Sequence, residues 1–196
     1  MISNFEFLPT LVFILVMCAW FAFVAGFFLR KNPDSPPDRK KDRGSILGVV
    51  LQGLSYAVVW SVHRPALSAM FRMSKFVEIV SAVVTVTIAF GSVGIVMAAV
   101  RALGKEWSIT ARVVEGHKPA TRGPYRFVRH PIYSGMLGML LATGLAINHS
   151  VVLPLVIFFI GTIIRVRSEE RLLREEFGAE FEAYAQHVPA MLPGVY

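Results

Sequence analysis

The sequence predicts an all-α, polytopic integral membrane protein with about five transmembrane helices and a C-terminal cytoplasmic amphipathic helix. Hydrophobic residues make up 55% of its 196 residues, and charged residues make up 17%. Soluble domains are nearer 45–50% apolar and about 25% charged. The apolar residues also fall in long blocks that basic segments separate, as in proteins that span a bilayer.

The first apolar block runs from about Phe5 to Leu29 and ends before Arg30 and Lys31. At about 1.5 Å per residue, it is long enough to cross a hydrocarbon core of about 30 Å. The next stretch, NPDSPPDRKKDRG at 32–44, has three prolines and alternating charges, so we expect a solvated linker. Its basic residues place it on the cytoplasmic side.

The second and third blocks cover about Ser45–Val62 and Phe76–Val100. The third block contains small residues that we expect to allow close helix packing. These residues are Gly91, Ser92, Gly94 and Ala98.

A polar connector at 101–130 precedes two short apolar blocks, at about Ile132–Ile147 and Val151–Ile164. Little more than the tripeptide NHS separates those two blocks, which predicts an antiparallel membrane hairpin. We therefore divide the chain into a three-span N-terminal membrane region, 1–100, and a C-terminal region, 101–196, that contains the connector, the hairpin and the last helix. Five spans put the N-terminus outside and the C-terminus in the cytoplasm.

The last segment begins as an amphipathic helix, because its apolar residues recur at helical spacing. Gly178 is a candidate break in that helix. The apolar positions are Leu172, Leu173, Phe177, Phe181 and Tyr184.

Polar residues crowd into GPYRFVRHPIYSGM, at 123–136, immediately before an apolar run. Pro131 suits the first turn of a helix, which places Arg129 and His130 at the positive end of that helix. Such donors favour an anion, and Tyr133 shares a helical face with His130. An interfacial belt of aromatic and basic anchors is an equal alternative from this stretch alone.

Arg165 ends the fifth apolar block, and Glu169 lies one helical turn later. This spacing is also typical of a simple ion pair that stabilises a helix. A charge at membrane depth, however, usually serves a function. We interpret Arg167, Arg171, Arg174 and Glu170 as solvated or headgroup-facing charges.

Several classes of function are disfavoured by the sequence. The net charge of +7 follows the basic loops between apolar blocks, so no nucleic-acid partner is expected. No metal-ligand spacing, dinucleotide-binding glycine motif or hydrolase motif is present. No protein partner is implied.

The motif GPYRFVRHPIYSGM, a short apolar hairpin and then EERLLREEFGAEFEAYAQHVP together resemble the isoprenylcysteine carboxyl methyltransferase family. The resemblance covers about residues 103–192. It implies an integral membrane enzyme that uses S-adenosyl-L-methionine, yields S-adenosyl-L-homocysteine and binds the donor on the cytoplasmic side. The acceptor it implies is a lipophilic or lipidated molecule that reaches the site through the membrane lipids.

The resemblance also implies roles for individual residues. Arg165 and Glu169 are the implied catalytic pair, with Arg165 binding the substrate and Glu169 also holding the cofactor. The other implied cofactor-binding residues are His117, Lys118, Ala120, Tyr125, His130 and Tyr133.

Other functions remain open from the sequence. The methyl acceptor can be a carboxylate, as in an isoprenylcysteine, or a lipid amine or a thiol. A relative of the sterol reductases that uses NADPH is disfavoured because such proteins have about twice as many spans. A membrane scaffold or transporter explains the spans but not Arg165 and Glu169 beside RHPIY.

Overall fold

A computed structural model describes most of the chain. The described residues are 6–28, 38–61, 74–104, 107–109, 111–114, 120–147 and 150–192. The predicted cofactor ligands His117 and Lys118 lie outside them.

The described residues form six α-helices, one short 3₁₀ turn and one two-stranded antiparallel ladder. The helices are α1 (Phe7–Phe28), α2 (Ser45–Ser61), α3 (Lys75–Leu103), α4 (Pro131–Ile147), α5 (Val152–Phe177) and α6 (Ala179–His187). The strands are β1 (Asp38–Lys41) and β2 (Arg112–Val114), and the 3₁₀ turn is Gly123–Arg126. The all-α prediction is therefore confirmed for the described residues, apart from the short two-stranded ladder.

Two of these helices are long and apolar enough to cross a membrane. They are the segment Phe7–Phe27 of α1 and the whole of α3, while α2 and α4 are apolar but shorter. The apolar first half of α5 continues without a break into its charged second half. The sequence thus located every apolar helix, and it placed the end of the amphipathic part of α5 at Gly178, where φ is +51°.

The helices pack in pairs that their order along the chain does not reveal. Helix α4 packs chiefly against α3, and α5 packs chiefly against α2. The α3–α4 contact is close because Gly135 of α4 lies against Val96, and Gly138 lies against Ser92. The predicted packing role of Gly91, Gly94 and Ala98 is wrong, since these three residues lie on the exposed face of α3.

The first part of the predicted linker at 32–44, residues 32–37, lies outside the described residues, and its second part contains a paired strand. Strand β1 pairs antiparallel with β2 of the polar connector. This pairing uses backbone hydrogen bonds, which charged side chains do not prevent. The segment before α2 is therefore fixed to the segment before α4.

The C-terminal segment turns back across the start of α4. The backbone N–H groups of Arg129 and His130 donate to the carbonyls of Pro189 and Ala190, both at 2.8 Å. The Ser134 hydroxyl donates to the carbonyl of Met191 at 2.5 Å. These bonds hold residues 189–191 against the motif that the sequence marked as functional.

Candidate functional site

Arg165 of α5 is the centre of a buried polar cluster that draws on four separate segments. Its side chain is 8% exposed. The guanidinium donates from Nε to Tyr133 Oη at 2.7 Å and from Nη2 to the carbonyl of Ile109 at 2.6 Å. Weaker contacts of 3.4 Å join it to Gln52 Oε1 and Glu169 Oε1. The cluster thus uses α2, the connector, α4 and α5.

Tyr133, Glu169 and His130 form the second part of the cluster. The Tyr133 hydroxyl donates a short hydrogen bond to Glu169 Oε1. His130 Nδ1 lies 3.3 Å from Glu169 Oε2, and its ring stacks on that of Tyr133 at 5.6 Å between centroids. The sequence prediction that residues from both ends of the α4–α5 hairpin meet is confirmed in this contact.

Glu170 is the buried anchor of the site, and the sequence analysis misassigned it as a solvated charge. Its side chain is 8% exposed and meets Arg129 Nε at 2.9 Å and His130 Nε2 at 3.2 Å. Its other oxygen accepts from Arg174 Nη2 at 3.0 Å. The anion that Arg129 and His130 were expected to attract is therefore, in part, a side chain of the protein itself.

His130 lies between two carboxylates, and its charge follows from that position. Burial opposes protonation, but hydrogen bonds to Glu169 and Glu170 outweigh it and raise the pKa of His130 above its ordinary 6.5. Burial likewise opposes ionisation of Glu170, yet contacts with His130 and Arg129 lower the pKa of that carboxyl to about 2. Burial also opposes ionisation of Glu169, but contacts with His130, Arg165 and Tyr133 outweigh it and lower the pKa of that carboxyl. Both carboxylates are therefore ionised at neutral pH.

A cavity of about 430 Å³ opens beside this cluster. That volume is within the usual range of small-molecule sites. Its polar end contains Arg129, His130, Tyr133, Arg165 and Glu169. Its apolar walls include Trp20, Phe23, Phe27, Tyr56, Trp107 and Met136.

All the sequence-predicted site residues that the structure describes line this one cavity. They are Ala120, Tyr125, His130, Tyr133, Arg165 and Glu169. The Glu169 side chain remains 26% exposed, so its carboxylate is accessible to a ligand, whereas that of Glu170 faces the protein. Of the two adjacent carboxylates, Glu169 can therefore contact a ligand, and Glu170 makes contacts within the protein.

Gln52 of α2 is a further residue of the cluster that the sequence analysis did not single out. It is 2% exposed, and its amide donates to Thr162 Oγ1 at 2.8 Å while its oxygen faces Arg165. A lone amide inside an apolar block was the available signal, because buried polar groups in such a block need a partner.

Gly48 fixes the position of the Arg165 side chain, which leads to a testable expectation. A Cβ at Gly48 would collide with Arg165 Cγ and lie 2.6 Å from the carbonyl oxygen of Gly161. We expect Gly48→Ala to destabilise the protein by about 1–3 kcal/mol through overpacking. Thermal unfolding in detergent measures this change.

Gly91→Ala is the matched control for that substitution. Nothing lies within 4 Å of a Cβ built at Gly91, which is also within a helix. We expect a gain of up to about 1 kcal/mol there, because alanine restricts the unfolded chain and favours the helix. Equal melting temperatures for the two variants would contradict the close contact of Gly48 with Arg165.

The arrangement is suited to binding a polar ligand next to an apolar one. Glu169 offers an accessible carboxylate to a cation or to hydroxyl groups. Arg165 offers a carboxylate its positive charge and Nη1, which makes only a 3.4 Å contact with Gln52. Aromatic and aliphatic side chains line much of the rest of the cavity.

Comparison with known proteins gives one family and several partial relatives. The model of the isoprenylcysteine carboxyl methyltransferase family matches residues 75–175, slightly more than half of the chain. The protein-S-isoprenylcysteine O-methyltransferase B of Arabidopsis thaliana is 35% identical over 89 residues, 44% of this chain and 45% of that protein. A probable protein-S-isoprenylcysteine O-methyltransferase of Oryza sativa subsp. indica is 40% identical over 80 residues, 39% of this chain and 41% of that protein.

A relative with a different name is also similar. The nickel-cobalt-cadmium resistance protein NccN of Alcaligenes xylosoxydans xylosoxydans is 34% identical over 117 residues, 53% of this chain and 48% of that protein. The chain therefore spans about half the length of each curated relative that it matches.

Proposed function

The chain belongs to the isoprenylcysteine carboxyl methyltransferase family, and from this we propose that it is a membrane methyltransferase. The proposed reaction transfers a methyl group from S-adenosyl-L-methionine to the carboxylate of a lipophilic, isoprenylcysteine-like molecule. The observation that carries the proposal is the meeting of Arg165 and Glu169 with His130 and Tyr133 at one end of an apolar cavity.

The residues present fit the proposed donor. The cavity is large enough for a nucleoside-sized molecule, and the accessible Glu169 carboxylate lies on its wall. Glu169 would bind an amino group or ribose hydroxyls, and Tyr125, His130, Tyr133 and Ala120 would complete the donor site. His117 and Lys118 join this set only through the family resemblance. When bound, S-adenosyl-L-methionine supplies a methyl group on a sulfonium centre that a nucleophile displaces in line.

The chain's own residues provide orientation and a dry site. A carboxylate acceptor of ordinary pKa, about 4, is ionised at neutral pH, so no general base is needed. Arg165 would orient that carboxylate through its positive charge and through Nη1, which makes only a 3.4 Å contact with Gln52. The apolar walls exclude water from the reacting groups. The positive charge of Arg165 favours a carboxylate over a protonated lipid amine.

The proposed placement in the membrane follows from the apolar helices and the basic segments. We propose five spans, formed by α1, α2, α3, α4 and the first half of α5, with the C-terminus in the cytoplasm. Arg165 and Glu169 then lie at the cytoplasmic boundary, and α5 continues into water. In this arrangement a soluble donor and a membrane-dissolved acceptor reach the same cavity from different phases. The division into regions 1–100 and 101–196 stays a proposal, because α2 of the first region contributes Gln52 to the site.

The first experiment measures binding of S-adenosyl-L-homocysteine to the full chain in detergent. We expect binding by the wild type and a loss of about 10- to 100-fold in affinity for Glu169→Gln, since charge-assisted hydrogen bonds are lost. Glu180→Gln removes the same charge at an exposed position of α6 and should leave the affinity unchanged. A wild type that does not bind would end the proposal.

A second experiment identifies the acceptor atom. Membranes and a farnesylated cysteine analogue are incubated with donor that carries a labelled methyl group. A methyl ester releases labelled methanol in mild base, whereas a methylated amine or thioether retains the label. If the label is retained, the acceptor is an amine or a thiol and not a carboxylate.

A further inference from the structure

Asp42, in the segment that precedes α2, contacts the cytoplasmic half of α5. Its side chain is 13% exposed. Oδ2 accepts short hydrogen bonds from the Ser168 hydroxyl and from Arg171 Nη2, and Oδ1 accepts from the backbone N–H of Gly44 at 2.8 Å. Both oxygens are therefore bound, and they join this segment to α5 one turn after Arg165.

The backbone around Asp42 also holds the polar connector. The N–H of Asp42 donates to the carbonyl of Ala111 at 3.2 Å. The N–H of Ala111 donates to Ser45 Oγ at 3.3 Å, and that hydroxyl donates back to the carbonyl of Asp42 at 2.9 Å. Ala111 is 2% exposed and packs against Leu172 of α5. The connector is thus fixed between the Asp42 segment and α5.

The connector in turn forms part of the cavity. Trp107, Ile109 and Arg112 line it, and the Ile109 carbonyl accepts the 2.6 Å bond from Arg165. Arg112 Nη2 donates to the carbonyl of Trp107 at 3.3 Å, which closes the connector on itself. A displacement of Ala111 would therefore move both a cavity wall and an acceptor of Arg165.

We propose that Asp42 is a positioning residue that holds the connector (residues 107–109 and 111–114) against α5. It thereby closes the polar end of the cavity, where S-adenosyl-L-methionine is proposed to bind. The inference rests on the proposed function, because the cavity must bind the donor for its closure to matter. It adds to the site a residue outside the 75–175 range that the family model matches. Asp42 acts through Ser168, Arg171 and the connector, and it does not line the cavity itself.

The charge state of Asp42 is consistent with a permanent tie. The Ser168 hydrogen bond is the largest influence, and together with the Gly44 amide and Arg171 it outweighs burial and lowers the pKa of this carboxyl. The side chain is therefore ionised at every pH near neutral.

Hydrogen exchange of the ligand-free, full-length protein tests the structural part of the proposal. We expect the amides of residues 111–114 to exchange about tenfold faster in Asp42→Ala than in the wild type, as expected when charge-assisted hydrogen bonds are lost. Glu180→Gln is the control, since it removes one negative charge away from the connector. Unchanged exchange in Asp42→Ala would overturn the proposal, whether or not the protein proves to bind the donor.

Ser168→Ala gives a second route to the same answer. It removes only one hydroxyl from α5, so it keeps the test decisive if Asp42→Ala does not fold. We expect faster exchange at residues 111–114 in this variant too, to a smaller extent. Wild-type protection in Ser168→Ala would count against a tie through the Asp42 carboxylate.

Dissociation of labelled S-adenosyl-L-homocysteine tests the role in the site. We expect release to be about tenfold faster from Asp42→Ala, with an intermediate rate for Asp42→Asn, which retains an acceptor for Ser168. Release at the wild-type rate would reduce Asp42 to a structural residue and leave the proposed function intact. A wild type that binds nothing would remove the proposed function, while the exchange experiment would still decide the contact.

Discussion

Replacing Glu170 by alanine is expected to lower the free energy of unfolding by about 3–5 kcal/mol. The loss follows from the three cations that this one carboxylate serves, of which Arg129 and His130 have side chains that are 12% and 6% exposed. Without Glu170, two buried positive groups lose an acceptor at once. For a chain of this length, the melting temperature should fall by about 6–20 °C, measured by circular dichroism in detergent.

Glu182→Ala is the matched control for that prediction. Glu182 binds Arg174 Nε at 2.7 Å, but its side chain is 49% exposed and that of Arg174 is 45% exposed. An exposed pair contributes at most about 1 kcal/mol, so the melting temperature should change little. A similar loss for the two variants would show that burial of Glu170 does not set its contribution.

The pKa values of the network give the direction of its pH dependence. Glu170 has a pKa lowered from its ordinary 4.5 to about 2. Its contribution is therefore complete above pH 4.5 and is lost as the pH falls toward 2. His130 has a raised pKa, so its contribution is complete below pH 6.5 and is lost as the pH rises through its folded value. In a plot of melting temperature against pH, the fall between pH 4.5 and pH 2 should therefore be smaller for Glu170→Gln than for the wild type.

The difference between Glu169 and Glu170 shows where sequence reasoning ended. Successive helical residues point about 100° apart, and here Glu169 lines the cavity while Glu170 contacts Arg129 and His130. The i, i+4 spacing from Arg165 predicted its contact with Glu169, which is present at 3.4 Å. Glu170 could not be assigned from spacing, because its partner Arg129 is 41 residues away and is held by the returning C-terminal segment.

The fold shows the same limit for contacts made by backbone or by small residues. Apolar blocks located the helices, because burial in lipid or protein requires apolar side chains in either case. Strand β1 has the sequence DRKK and pairs through its backbone, so its side-chain pattern does not predict a strand. Glycines indicate that helices approach closely, but not which of them lies at the contact, and so Gly135 and Gly138 took the role predicted for Gly91 and Gly94.

Arg165→Lys is expected to lower kcat/KM for the proposed methyl transfer to a lipophilic acceptor by at least about a hundredfold. The guanidinium at this position bonds Tyr133 Oη, the Ile109 carbonyl and Gln52 Oε1 in three directions while facing the cavity. An ammonium group keeps the charge but cannot bond these three acceptors and still present a donor to the substrate carboxylate in the same position. Charge alone therefore should not preserve the reaction.

Arg167→Lys on the same helix is the control, since Arg167 is exposed and should tolerate the change. Competition between two acceptor analogues then separates orientation of the substrate from damage to the site. A carboxylate analogue should bind the wild type more tightly than its neutral amide counterpart does, and Arg165→Lys should remove most of that preference. If the variant lost affinity for both analogues equally, Arg165 would be shaping the cavity rather than binding the carboxylate. If it retained more than a tenth of wild-type kcat/KM, the guanidinium of Arg165 would not be required for the proposed methyl transfer.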